Sequence, residues 1–157
     1  MTLHIVLHQP EIPANTGNIA RTCLATNTTL HLIHPLGFST ENKMLKRAGL
    51  DYWKHVNVKE YDSIQQLYDQ YPKGTFYYVE NYGENYYTDV DLSNRDDEIF
   101  FIFGKETAGL PKQWLEENAC RCLRIHMTDQ VRSLNLSNAA AIIVYEALRQ
   151  QKFPGMA

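Results

Sequence analysis

A single α/β domain, with a mostly parallel sheet covered by helices on both faces, follows from three features of the 157-residue sequence. Strand-like and helix-like stretches alternate from one end to the other, the pattern of βαβ crossovers and therefore of parallel pairing. Two of the strands, Thr75–Glu80 (TFYYVE) and Ile99–Phe103 (IFFIF), are continuous apolar runs, as suits strands buried on both faces. Near the C-terminus, Ala139 to Val144 are apolar without a break, so they cover every side of a helix. That helix is expected to be buried on two fronts, one its own sheet and the other open to a second copy of the chain. The length suits one domain over residues 1–157 with a proper core, and 44% hydrophobic with 21% charged residues excludes a disordered chain.

Taken in order, Leu3–His8 reads as the first strand. A loop punctuated by Pro10 and Pro13 follows, then a helix from Asn15 to Asn27. Thr29–His34 is the second strand, closed by Pro35-Leu36-Gly37. Lys43–Leu50 (KMLKRAGL) is a short basic helix, Val56–Lys59 a weak strand, and Ser63–Tyr71 a helix that Ser63 can cap. Between the two apolar strands lies a polar linker, Asn81–Glu98, with no strong pattern. Pro111–Asn118 begins with proline in the favoured first turn of a helix. Leu123–Met127 is the last strand, with Cys120 and Cys122 expected on one strand face as small hydrophobes. The final helix follows, capped by Ser137 or Asn138.

Several function classes are excluded. A net charge of −3 argues against wholesale electrostatic capture of nucleic acid, though not against a local basic patch. Three cysteines (Cys23, Cys120, Cys122) cannot all pair, and no CxxC or HExxH spacing occurs, so neither a disulfide framework nor a metal site is supported. The N-terminus lacks the pattern of a signal peptide, and no apolar stretch is long enough for a bilayer, so a reduced, cytoplasmic location is expected.

In open α/β sheets, ligands collect at the carboxyl ends of strands. Three loops fall there. In the first, Asn15 and Gly17 suit a tight turn at a helix start, and Arg21 on that helix has the planar fork for a phosphate, although a surface arginine would look the same. In the second, Gly104 and Gly109 flank Lys105 and Glu106, where glycine lets a ligand approach the backbone. The third, Thr128–Asn138, supplies donors from Arg132, Ser133, Asn135 and Ser137 beside a helix N-terminus. There is no Walker loop, no GxGxxG, and no histidine placed to activate a serine.

Together, N-T-G-N-I-A-R, F-G-K-E-T-A-G-L and S-L-N-L-S-N-A-A resemble the three ordered motifs of the SPOUT-class RNA 2′-O-methyltransferases, across nearly the whole chain. Q-P-E-I-P-A-N-T-G-N-I-A-R, H-P-L-G-F, L-K-R-A-G-L-D-Y-W and Y-E-A-L-R-Q resemble in particular the small bacterial subgroup that methylates the wobble ribose of tRNA. The resemblance implies a deep C-terminal trefoil knot, S-adenosyl-L-methionine as cofactor with S-adenosyl-L-homocysteine as product, a homodimer, and a tRNA anticodon stem-loop as partner. Leucine isoacceptors, with cytidine or modified uridine at position 34, are the expected substrates. Carried over by position, the catalytic group is Arg21 with Asn15, Glu106 and Asn135. The cofactor residues are Val79, Gly104, Ile125 and Ser133, and Tyr145 serves tRNA. Lys105 and Ala108 stand where some relatives carry Pro and Arg, so no contact by that arginine is implied. Lys43, Lys46, Arg47 and Lys54 form a basic cluster that could guide phosphates, with Tyr52 and Trp53 able to stack on a base; a solvated helix face fits that cluster equally well. Methylation at another tRNA or rRNA site, or non-catalytic RNA binding on the same fold, stay open.

Overall fold

The computed structural model describes residues 3–48 and 50–157, with the side chains of all of these but 50 and 51. Seven strands form one sheet in the order β3-β2-β1-β6-β4-β7-β5, with every pairing parallel. They are β1 Leu3–His8, β2 Thr29–Ile33, β3 Val58–Tyr61, β4 Thr75–Val79, β5 Asn85–Tyr86, β6 Ile99–Phe103 and β7 Cys122–Arg124. The helices are α1 Pro13–Thr26, α2 Lys43–Ala48, α3 Ile64–Gln70, α4 Lys112–Glu117 and α5 Leu136–Gln150. A 3-10 helix, Leu50–His55, follows α2; Gly49, within the basic helix expected over 43–50, lies outside the described residues.

Alternation along β1 divides the core in two. Leu3, Ile5 and Leu7 pack with Ile19, Ala20 and Cys23 of α1 and with Ala140, Ile143 and Val144 of α5. Val6 faces the other way, joining Leu67 of α3 and, with Phe100 and Ile102, the flank of α4 at Trp114 and Leu115. Helices thus cover both faces, as expected. Each fully buried Leu or Ile contributes about 1.5–3 kcal/mol, and β1, β2 and β6 are buried along their whole length.

Within the chain α5 buries one front: Ala140, Ile143, Val144, Ala147 and Leu148 make an i, i+3, i+4, i+7, i+8 stripe, while Ile142 and Tyr145 are exposed. Two expectations need correction. Cys120 and Cys122 do not share a strand face. Cys120 is exposed in a 3-10 turn, Ala119–Arg121, and Cys122 is buried at the start of β7. That last strand also stops at Arg124 instead of Met127, because its neighbours β4 and β5 pair with it over only two residues each.

The patternless linker is ordered by contacts remote in sequence. Leu92, fully buried, donates its N–H to Gln150 Oε1 (2.7 Å), and its carbonyl accepts from Gln151 Nε2 (2.9 Å). The Arg95 guanidinium donates to the Gln151 carbonyl. Toward the amino end of the sheet, buried polar side chains form a chain that ends on the half-exposed Glu98, beside a second, smaller cavity. His4 Nδ1 meets His31 Nε2 at 2.9 Å, His31 Nδ1 meets Tyr61 Oη at 3.0 Å, and His4 Nε2 pairs with Glu98. Burial pushes His31 down to about 3 and lowers His4 as well, despite its carboxylate partner. Among the described residues no helix is long and apolar enough to cross a membrane.

Candidate active site

At the carboxyl ends of β4, β6 and β7 the chain encloses a cavity of about 570 Å³, within the range of small-molecule sites. Its walls are Val79 and Glu80 leaving β4, the loop Phe103–Gly109 leaving β6, Ile125 and Met127 beyond β7, and Arg132 to Leu136 entering α5. Two of the three residues that β7 gives up as strand, Ile125 and Met127, are therefore cavity wall, while His126 stacks on Tyr86. All four residues expected to hold the cofactor (Val79, Gly104, Ile125, Ser133) line this space, and so do Asn15, Glu106 and Asn135.

Those last three are joined directly. Asn135 Nδ2 donates to Asn15 Oδ1 (3.0 Å), and Asn15 Nδ2 donates to Glu106 Oε2 (3.1 Å). The same carboxylate accepts from the backbone amides of Glu11 and Ile12, each at 2.9 Å. Helix α1 has no side-chain cap of its own at Ile12. Glu106 thus caps it from the next loop, 94 residues away, placing a negative charge where the helix exposes free amides. Glu11 returns the brace: its carboxylate accepts from the Thr107 amide (2.9 Å) and hydroxyl (2.7 Å), which hold its carboxyl below the ordinary range.

Asn135 has a second duty that corrects the expected cap. Its Oδ1, not a side chain of Ser137 or Asn138, caps α5, accepting from Ser137 N (2.9 Å) and Asn138 N (3.4 Å). One amide therefore starts α5 and grips the α1 loop. The second loop depends on its glycines: a Cβ on Gly104 would lie 2.1 Å from the Gly109 carbonyl carbon, and Gly109 takes φ +69° as its amide closes onto Lys105 O (2.8 Å).

Arg21 is placed differently. It is exposed on α1, does not line the cavity of its own chain, and lies over the Tyr52 ring at 5.4 Å. Lys43, Lys46, Arg47 and Lys54 are exposed, with Lys46 paired to Glu41 at 2.8 Å. Trp53 is half-buried against the core, whereas Tyr52 remains exposed. Tyr145 projects from the outer side of α5. Sequence reasoning missed Glu11 as a brace and Glu80 as cavity wall; the strand-end rule applied to Thr75–Glu80 would have found the latter.

Comparison with known proteins matches residues 2–145 to the SpoU rRNA Methylase family. The chain is 66% identical over 156 residues, covering 99% of both chains, to a protein of Geobacillus stearothermophilus provisionally named a tRNA (cytidine(34)-2′-O)-methyltransferase. It is 42% identical over 152 residues to the tRNA (cytidine(34)-2′-O)-methyltransferase of Methylovorus glucosotrophus, covering 96% of this chain and 97% of that one. A solved structure concerned with 2-OH methylation of C/U34 on tRNA superposes with a TM-score of 0.89 at 42% identity, covering 96% and 97% of the two chains.

Proposed function

Because the chain belongs to the SpoU rRNA Methylase family, we propose that it methylates the 2′-hydroxyl of the wobble nucleotide, cytidine or modified uridine 34, in tRNA. The observation that carries the proposal is the joining of Asn15, Glu106 and Asn135 from three separate loops around one cavity. Names of relatives at 42–66% identity supply the substrate. Leucine isoacceptors, a cytoplasmic setting and the C-terminal trefoil knot belong to the same reading; the placing of β7 between β4 and β5, followed by the return of α5 onto α1, is consistent with that knot.

The cavity suits S-adenosyl-L-methionine. Val79, Phe103, Ile125, Met127 and Leu134 offer apolar wall for an adenine, and Gly104 and Gly109 leave the backbone bare where a Cβ would fill the loop. Arg132 and Ser133 at the approach to α5 offer donors for an amino-acid carboxylate. Bound there, S-adenosyl-L-methionine supplies an electrophilic methyl group on sulfonium, which leaves as the neutral thioether of S-adenosyl-L-homocysteine.

What the protein must add is alignment and removal of the ribose proton. Near-attack alignment is worth on the order of 7–11 kcal/mol in ideal cases. A guanidinium offers donors and no acceptor, so Arg21 is assigned an electrostatic role and the ribose proton passes to solvent water as the oxygen–methyl bond forms. Arg21 holds the neighbouring phosphate, and its charge lowers the hydroxyl's pKa as the oxyanion develops. Since Arg21 does not reach its own chain's cavity, two copies associate through the exposed side of α5, with Ile142 and Tyr145, so that Arg21 of one copy serves the cavity of the other. Lys43, Lys46 and Arg47 guide the anticodon stem-loop.

Mass-spectrometric mapping of ribose methyls in tRNA, from cells with and without this protein, tests the assignment. The expected outcome is loss of the 2′-O-methyl at nucleotide 34, restored by the wild-type chain and not by Arg21→Ala. A methyl lost at another position reassigns the substrate. For Arg21 itself, a pH–rate profile shifted to higher pH in Arg21→Lys and a rate collapse in Arg21→Ala support the electrostatic role.

A further inference from the structure

Two carboxylates line the cavity, and they differ in what they have left to give. Glu106 commits both oxygens to Glu11, Ile12 and Asn15. Glu80 commits only Oε1, which accepts from the Asn81 amide at 2.8 Å. Among the described residues no hydrogen bond reaches its Oε2. That oxygen leans over Gly109, so close that a Cβ there would lie 2.6 Å from it. The bare Cα of Gly109 is what lets the carboxylate occupy this position. Behind it the main chain is fixed, Glu80 N–H donating to Leu123 O (3.0 Å) and Glu80 O accepting from Gly83 N (3.2 Å).

An acceptor held in place with vacant lone pairs calls for a donor on the ligand. On an adenosyl ligand the candidates are the adenine amine, the ribose hydroxyls and the amino-acid ammonium. The amino-acid carboxylate pairs with Arg132 on a different wall, the loop entering α5, which draws that end of the ligand, ammonium included, toward that wall. Adenine suits the apolar wall. Vicinal hydroxyls suit a lone carboxylate at a strand end, the arrangement by which acidic side chains hold ribose in other α/β sheets. We infer that Glu80 is the ribose-recognition residue of this cavity, its free Oε2 accepting from the hydroxyl pair of a bound adenosyl ligand. The inference rests on the cavity being the S-adenosyl-L-methionine site.

Calorimetric titration of wild type, Glu80→Gln and Glu80→Ala tests it with four probes: S-adenosyl-L-homocysteine, its 2′- and 3′-deoxy analogues, and 5′-methylthioadenosine, which keeps the ribose but lacks the ammonium. Loss of a hydrogen bond to a charged acceptor should weaken S-adenosyl-L-homocysteine by about ten- to a hundredfold in Glu80→Ala. Methylthioadenosine should weaken by the same factor, and the wild-type penalty for deleting a ribose hydroxyl should shrink in both variants. Unchanged affinity in Glu80→Ala overturns the inference. So does a loss confined to S-adenosyl-L-homocysteine, which assigns the contact to the ammonium. Failure of the wild type to bind any probe overturns the cavity reading, and this inference with it. Thermal unfolding of the ligand-free variants separates lost contact from lost fold, and the isosteric Glu80→Gln carries the test if Glu80→Ala does not fold.

Discussion

The two ends of the sheet bury polar groups to opposite purposes. At the amino end, Glu98, His4, His31 and Tyr61 form a chain in which each member satisfies the next. At the carboxyl end, Asn135, Asn15 and Glu106 also form a chain, but it borders the larger cavity and leaves one face of it, at Glu80, unsatisfied. The amino end has histidines, the residues that most often suggest catalysis, yet burial holds them neutral and their ring nitrogens face one another. The carboxyl end has none of its catalytic-looking groups in a familiar triad, yet three loops converge there. A buried polar network shows a site only where it leaves a valence facing a space that a ligand can fill.

That contrast can be broken by experiment, beginning with the largest effect. Arg21→Ala should lower methyl transfer by about 10²–10³-fold, the scale of removing one electrostatic donor from a transition state. Its exposed position means the melting temperature should hardly move; a large fall in stability with retained activity would reverse the assignment. Ile142→Asp should disperse the α5 contact, giving monomers by sedimentation that bind S-adenosyl-L-homocysteine but fail to methylate, and an active monomer would refute shared sites.

At the amino end the expected effect is on stability alone. An unfolded imidazole titrates near 6.5 and the buried His31 near 3, so between these values the unfolded chain binds more protons. The stabilisation is complete above about pH 6.5 and is lost as pH falls, by about 3 kcal/mol at pH 4 from His31 alone. Tyr61, His4, Lys59, Tyr71 and Phe100 surround the ring, and repulsion from Lys59, and from His4 once it is protonated, reinforces the shift. Urea unfolding from pH 7 to 4 measures it; His31→Gln should flatten the slope while leaving kcat at neutral pH nearly unchanged. A slope that persists in His31→Gln would move the effect elsewhere.

Glu106→Gln sharpens the comparison between the ends because it should touch both stability and rate. It weakens the cap on α1 and the link to Asn15, costing roughly 1–3 kcal/mol by chemical denaturation with a rise in KM for the methyl donor. Smallest is the surface term. Lys43→Glu with Arg47→Glu should raise KM for tRNA severalfold at low salt and less at high salt. Equal KM values at both salt concentrations would make that helix an ordinary solvated face.

Much of this was written locally in the chain. The apolar runs of β4 and β6, the alternation of strand and helix, and the placement of unusual residues after strands announced a parallel sheet with its site at the carboxyl ends. Short-range chemistry governs these features, so a window of ten residues suffices to read them. The motifs around Asn15, Glu106 and Asn135 marked the loops that meet at one cavity. Tertiary structure decided how they meet. Glu106 caps a helix 94 residues distant, Asn135 displaces Ser137 and Asn138 as the cap of α5, and the featureless linker is fastened at Leu92 by Gln150 and Gln151. It also decided which charges are spent and which are free, separating Glu80 from Glu106. Such bonds depend on where distant backbone ends arrive in space, and no periodicity in the sequence encodes that.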